Sequence, residues 1–164
     1  MQACREGSSE AFGRLFERYR DDIGRFFRRR VLNPTRAEDL AQETFVAALR
    51  SVGRYEARNT FRSYLFGIAF NVLSDDRRKP HAMIDARADA DVMASLRAST
   101  PNLDEVLHVR RAVEALDPID RDVVMLREFD ALSYGEIAEA LAIPLNTVRS
   151  RLFRARMALK ENLQ

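Results

Sequence analysis

Apolar positions in this chain recur at intervals of three and four almost from end to end, and no stretch alternates as a half-buried strand would. The pattern predicts an all-α protein. Phe12, Leu15, Phe16, Tyr19, Ile23, Phe26 and Phe27 mark one face of a first helix that starts near Ser8, a suitable N-cap. Asn33-Pro34-Thr35 interrupts the pattern, and Thr35-x-x-Glu38 has the form of a capping box opening a second helix. Its expected buried side is Ala37, Leu40, Ala41, Thr44, Phe45, Ala48, Leu49 and Val52, with Asp39, Gln42, Glu43 and Val46 together on the other. Thr60 is placed to cap a third helix, Phe61 to about Arg77, with two apolar stripes: Phe61, Leu65, Ile68 and Val72, then Phe66, Phe70 and Leu73. A helix apolar on two sides is either buried between neighbours or offers one side to a partner.

Periodicity fails between Lys79 and Leu103, where Pro80 and Pro101 bracket Ala, Asp, Ser and Arg. Such a stretch is too thin in apolar residues to be a domain. Helical patterns resume from Asp104 to Leu116 and, after a turn at Asp117-Pro118, from Asp120 to Phe129. The expected organisation is two small helical domains, residues 1–79 and 104–164, joined by a flexible linker over 80–103.

The final stretch is the most informative. Ser133-x-x-Glu136 is a capping box for a short helix, and Pro144 forces a change of direction soon after it. A second helix then runs from about Leu145 to Leu163, with Val148, Leu152, Ala155 and Leu159 on its apolar side. Asn146, Arg149, Ser150, Phe153 and Arg154 lie opposite, flanked by Arg151, Arg156 and Lys160. A capped helix, a tight joint and a basic helix with one dry side form a helix-turn-helix able to enter a DNA major groove. The plainer alternative is a solvated basic face; the cap, proline and polar entry at matching offsets favour DNA.

Composition narrows the classes further. The chain has 164 residues, 46% apolar and 32% charged, with a net charge of +2. That small value conceals segregation: the residues before Lys79 and after Leu145 are basic, those from Asp104 to Leu145 acidic. Cys4 is the lone cysteine, and His81 and His108 form no ligand pattern, so no metal site is expected. Phosphate loops and nucleophile-base sets are missing, so neither a cofactor nor catalysis is expected. Asp75-Asp76 before Arg77-Arg78-Lys79 is the mark of a salt-bridged helix end, and Arg28-Arg29-Arg30 complements a helix dipole. No secretory signal or apolar run of membrane length stands out, so a cytoplasmic protein without membrane insertion is expected.

With these segments in view, the chain resembles the extracytoplasmic-function (ECF) sigma factors of bacterial RNA polymerase over nearly its full length. GSSEAFGRLFERYRDDIGRFFRRRV, AEDLAQETFVAAL and FRSYLFGIAFNVLSDDRRK resemble their sigma-2 domain. ALDPIDRDVVMLREFDALSYGEIAEALAIPLNTVRSRLFRARMALKENL resembles their sigma-4 domain. The resemblance implies an alternative sigma factor that binds core polymerase at its clamp coiled coil and flap, directs it to promoter DNA, and answers to an anti-sigma factor. It implies core contacts at Asp39, Gln42, Glu43 and Val46, with Leu40 and Phe45 anchoring that helix from behind. It implies −10 contacts at Tyr55, Arg58, Asn59, Thr60, Arg62, Asn71, Arg77 and Arg78, with Asn71 beside a flipped base and whichever of Tyr55, Arg58, Phe66 and Phe70 are exposed holding single strand. It implies −35 contacts at Arg149, Ser150, Phe153 and Arg154, with Asn146 and Thr147 binding phosphate through backbone N–H groups. Polymerisation chemistry and small-molecule substrates belong to the core enzyme.

The chain departs from the family pattern at several points. Tyr64 stands where a tryptophan is usual, Ala142 and Asn146 where glycines are usual, Ser8 where an aspartate is usual, and Asp117 separates a usual leucine-proline pair. Two other readings remain open on the residues alone: an operator-binding activator that uses only the helix-turn-helix, and a sigma mimic that sequesters a regulator.

Overall fold

The computed structural model describes residues 9–54, 60–79 and 103–163. Among them every regular element is helical: α1 (Ser9–Arg28), α2 (Pro34–Ser51), a 3-10 turn (Val52–Arg54), α3 (Phe61–Arg78), α4 (Leu103–Glu114), α5 (Pro118–Val124), a π turn (Met125–Phe129), α6 (Tyr134–Ala140) and α7 (Leu145–Asn162). They divide between two compact units, one holding α1–α3 and the other α4, α5 and α7. The expected N-cap Ser8 and nearly all of the expected linker, 80–102, lie outside the described residues.

The first unit closes on aromatic side chains. Ile23, Phe26 and Phe27 are fully buried, whereas Phe12, Leu15, Phe16 and Tyr19 on the same stripe are half-buried. Phe26 meets Phe27 and Phe66 edge-on, at 5.0 and 5.7 Å between centroids. Phe16 meets Phe45 at 4.8 Å and Tyr19 meets Phe61 at 5.5 Å, so α1 contacts both α2 and α3 through favourable T-shaped pairs. Arg36 of α2 donates through Nε to Asp76 of α3 at 3.0 Å, and this bond raises the guanidinium pKa. Asp76 therefore joins two helices, while Asp75 and Arg78, 3.7 Å apart, make the helix-end pair expected from sequence.

Three expectations for this unit change. The cap of α2 is Asn33, whose side chain accepts from the Arg36 backbone N–H at 3.1 Å, with Pro34 in the first turn. Thr35 and Glu38 therefore lie inside the helix: proline presets φ at its entry, and the preceding amide already satisfies the open donor. Leu49, expected inside, is 51% exposed. It follows Gln42 by nearly two full turns and so falls on the polar side. The third correction concerns α3. Phe61, Leu65, Phe66, Ala69 and Leu73 are buried, Ile68, Phe70 and Val72 are half-buried, and none of the exposed large apolar residues belongs to this helix. Of the two options for a doubly apolar helix, burial between neighbours holds; no outward apolar face forms.

Thr60 does cap α3, accepting from the Ser63 N–H at 3.1 Å. Tyr64 turns its hydroxyl to good use, donating to Ser51 Oγ at 2.6 Å and so linking α3 to the end of α2.

In the second unit, Val123, Val124, Leu126, Leu132, Ile137, Val148, Leu152 and Ala155 are buried. Asp117 caps α5, its carboxylate accepting from the Ile119 N–H at 3.2 Å with Pro118 next in line, so this helix begins before Asp120. It continues into the π turn, where the Asp130 N–H reaches Met125 O at 3.2 Å. Ala131 follows at φ 53°, and the Leu132 N–H closes onto Leu126 O at 3.0 Å.

Candidate nucleic-acid interface

The joint between α6 and α7 forms as the residues dictate. The capping box is reciprocal: the Ser133 N–H donates to Glu136 Oε2 at 2.9 Å, and the Glu136 N–H donates to Ser133 Oγ at 3.2 Å. After Ala140 the chain turns through Ala142 at φ 52°, the left-handed conformation that glycine adopts without strain. The Ile143 N–H bonds back to Ala138 O at 2.9 Å, and Pro144 then sets the entry into α7.

On α7 the predicted division holds except at Leu159, which is half-buried. Val148, Leu152 and Ala155 are buried; Asn146, Arg149, Ser150, Phe153 and Arg154 are all exposed. Phe153, at 68%, is the most exposed of the large apolar side chains among the described residues. A single exposed phenyl is not unusual by itself; flanked by arginines on one helix face, it has the chemistry to pack on a thymine methyl. Arg149 donates to Asn146 Oδ1 at 3.1 Å, and the Ser150 hydroxyl donates to Thr147 O at 3.0 Å. Asn146 is thus the second residue of α7 and a partner of Arg149, with Pro144 in the cap position. The Thr147 N–H is already engaged by Pro144 O at 2.9 Å, so phosphate capture through that N–H is not set up.

The arginines of α7 divide by task. Arg151 donates to Asp117 and Asp120, both at 3.1 Å, and is 24% exposed. Arg156 bonds Glu128 at 2.8 Å, which raises its pKa. These two fasten α7 to α5 and the π turn. Arg154, 57% exposed, touches Asp120 at 3.3 Å while lying on the exposed face with Arg149, Ser150 and Phe153. The pairing of Asp117 and Asp120 with α7 is not legible from sequence because they stand more than thirty positions from their partners. The acidic block upstream of the basic helix was the one available signal.

In the first unit, Asp39, Gln42, Glu43 and Val46 are exposed together on α2, and Leu49 extends the strip. Leu40 and Phe45 are buried behind them, as expected. A groove of about 380 Å³ runs beside the strip between α1 and α2, lined in part by Phe16, Arg20, Arg28, Glu38 and Gln42.

The other set is less compact. Tyr55, Arg58 and Asn59 lie outside the described residues. Thr60 is exposed, its hydroxyl occupied as the cap. Asn71 and Arg78, seven positions apart, share an exposed side of α3, and Arg77 is exposed at its end. Arg62 stands nine positions before Asn71, on the opposite side, with its guanidinium 5.4 Å from the centre of the Phe66 ring. Phe66 is buried and offers no stacking surface; Phe70 is half-buried. Among the described residues no acidic, His or Cys cluster could hold a metal, and no helix is long and apolar enough to cross a membrane.

Comparison with known proteins agrees with this layout. Residues 15–82 match the model for sigma-70 region 2, and residues 107–159 the model for sigma-70 region 4. The chain is 32% identical to the RNA polymerase sigma-H factor of Pseudomonas aeruginosa, covering all of this chain and 92% of that protein. It is 33% identical to the ECF RNA polymerase sigma-E factor of Escherichia coli, with the same coverage. Among solved structures it is similar to CnrH in complex with the cytosolic domain of CnrY, at 26% identity and a TM-score of 0.73, covering 99% of this chain and 93% of that one. The sigma factor RpoE of Bartonella quintana, solved with the anti-sigma factor NepR, shares the fold at 20% identity and a TM-score of 0.70, covering 94% and 97%.

Proposed function

The chain belongs to the ECF group of the sigma-70 family, and on that premise we propose how its residues direct RNA polymerase to promoters. The α7 face of Arg149, Ser150, Phe153 and Arg154 reads the −35 duplex. Asn71, Arg77 and Arg78 on α3, with the segment around Tyr55, Arg58 and Asn59, take the −10 element. The α2 strip from Asp39 to Val46 docks on core polymerase. In domain terms, residues 1–79 carry core binding and −10 capture, residues 104–164 carry −35 recognition, and 80–103 link them. The chain contributes recognition and no catalytic group, and it acts in the compartment where polymerase works.

One observation supports the −35 assignment above the rest: every polar member of the α7 set, with Phe153, is exposed on one side of a helix whose other side is buried. Arginine suits guanine edges, and phenylalanine suits thymine methyls. The test is footprinting with reconstituted holoenzyme. Protection of both promoter elements, with unpaired thymines near −10, is expected only when core is present. A full footprint from the chain alone would favour an operator-binding activator.

Control by an anti-sigma factor follows from the same premise. Its support is the likeness to CnrH, solved with a partner, and the apolar surface of Val106 and Val109, exposed one turn apart on α4. On α3, by contrast, the apolar side chains are buried or half-buried. Affinity capture from the native cell should recover a non-polymerase protein that blocks transcription; recovery of polymerase subunits alone would argue against such control.

A further inference from the structure

We propose that Asp120 is a positioning residue for promoter discrimination, holding Arg154 in one orientation on the recognition face. The inference rests on the reading of α7 as the −35 helix. Asp120 is 7% exposed, and its Oδ1 accepts from Arg151 at 3.1 Å and from Arg154 at 3.3 Å. The two arginines are three positions apart on α7, so one carboxylate meets both. Arg151 is also gripped by Asp117 at 3.1 Å, which keeps the carboxylate from following Arg154 if that side chain moves.

The chemistry separates the two arginines. Arg151 is largely buried and is consumed in attaching α5 to α7. Arg154 is mostly exposed and gives one nitrogen to Asp120. A guanidinium carries five donors in a rigid plane. Holding one nitrogen on a buried carboxylate narrows the orientations of that plane and leaves the remaining donors to face a base. An arginine without the tether satisfies itself on whichever phosphate is nearest, and phosphates carry no sequence information. The carboxylate also opposes indiscriminate approach of DNA, since each added or removed charge shifts non-specific affinity. Loss of Asp120 should therefore move two quantities in opposite directions: base discrimination falls and affinity for random duplex rises. A purely structural role would lower both.

The experiment compares holoenzymes carrying wild-type chain, Asp120→Asn, Arg154→Ala and both together. Each is bound to a promoter library randomised over the −35 element and to a promoter-free duplex, with thermal melting of each chain alongside. Arg154→Ala should reduce base preference at one or two −35 positions by roughly 5- to 100-fold. Asp120→Asn should reduce it at the same positions by roughly 3- to 10-fold, bind random duplex more tightly, and cause no further loss of base preference in the Arg154→Ala background. Wild-type base ratios in Asp120→Asn, an equal loss in the Arg154→Ala background, or a parallel drop in both affinities would overturn the proposal. Unchanged ratios in Arg154→Ala itself would instead remove Arg154 from −35 reading. Asp120→Glu keeps the charge and shifts the oxygen by one methylene; it should alter the same ratios in a chain that melts normally, and wild-type ratios there would also count against the tether.

Discussion

Ala142 and Ala131 hold φ values of 52° and 53°, where a Cβ crowds the backbone at a cost of about 1 kcal/mol. Ala142→Gly should therefore stabilise the second unit by up to about 0.5 kcal/mol, the relief being partly offset by glycine's larger unfolded-state entropy; chemical denaturation would measure it, and a loss of stability would mean that the turn is not strained. The strain at Ala142 was legible because the family pattern has glycine there. That at Ala131 was not, because alanine carries no local sign of its conformation. Asn33 teaches the converse. Two capping signals overlapped, and the one immediately before proline prevailed. Asn33→Ala should cost about 1 kcal/mol and Thr35→Ala no more than a few tenths, read from the midpoint of urea unfolding. Equal costs would restore the Thr35–Glu38 box. The raised pKa of Arg36, caused by its bond to Asp76, adds no pH dependence near neutrality. Stability from a raised basic group is present below its ordinary value and is lost only above it.

At the scale of elements, periodicity identified the helices and the inward sides of α1, α2 and α7, because burial follows directly from 3.6 residues per turn. It could not rank positions at the border of a face, which is why Leu49 lies outward and why it did not separate buried Phe66 from half-buried Phe70. Partners far apart in sequence were also beyond it: nothing local in Asp120 points to Arg151 and Arg154. The α2 strip is an exposed acidic-polar surface over a buried Leu40 and Phe45, so its chemistry and its fold are separable. Asp39→Arg should lower affinity for core polymerase at least about 10-fold, as expected for charge reversal within a docking face. Its melting temperature should stay within about 2 °C of wild type, since exposed charges contribute little to stability. A variant that melts much lower yet still binds core would move the docking surface elsewhere.

At the scale of the whole molecule, a net charge of +2 gives no hint of a DNA-binding protein. The basic charge is concentrated on particular helices, and much of it is consumed internally: Arg36, Arg151 and Arg156 each hold two elements together. What remains on α7, on the proposed −35 reading, is a small surface, too weak to select a site among a genome's competing sequences by itself. Tethering to polymerase supplies the rest, since a second contact made within one complex raises joint affinity without new interactions. The acidic α2 strip and the basic α7 face are therefore two parts of one initiation factor. The most direct test is run-off transcription with purified core polymerase on a promoter footprinted by the holoenzyme. Core plus the wild-type chain should give a discrete transcript, and core plus Arg149→Ala about 10-fold less, a loss expected of one base contact, with core binding unchanged. No transcript from the wild-type chain, or a transcript indifferent to both the −35 sequence and Arg149, would contradict the account.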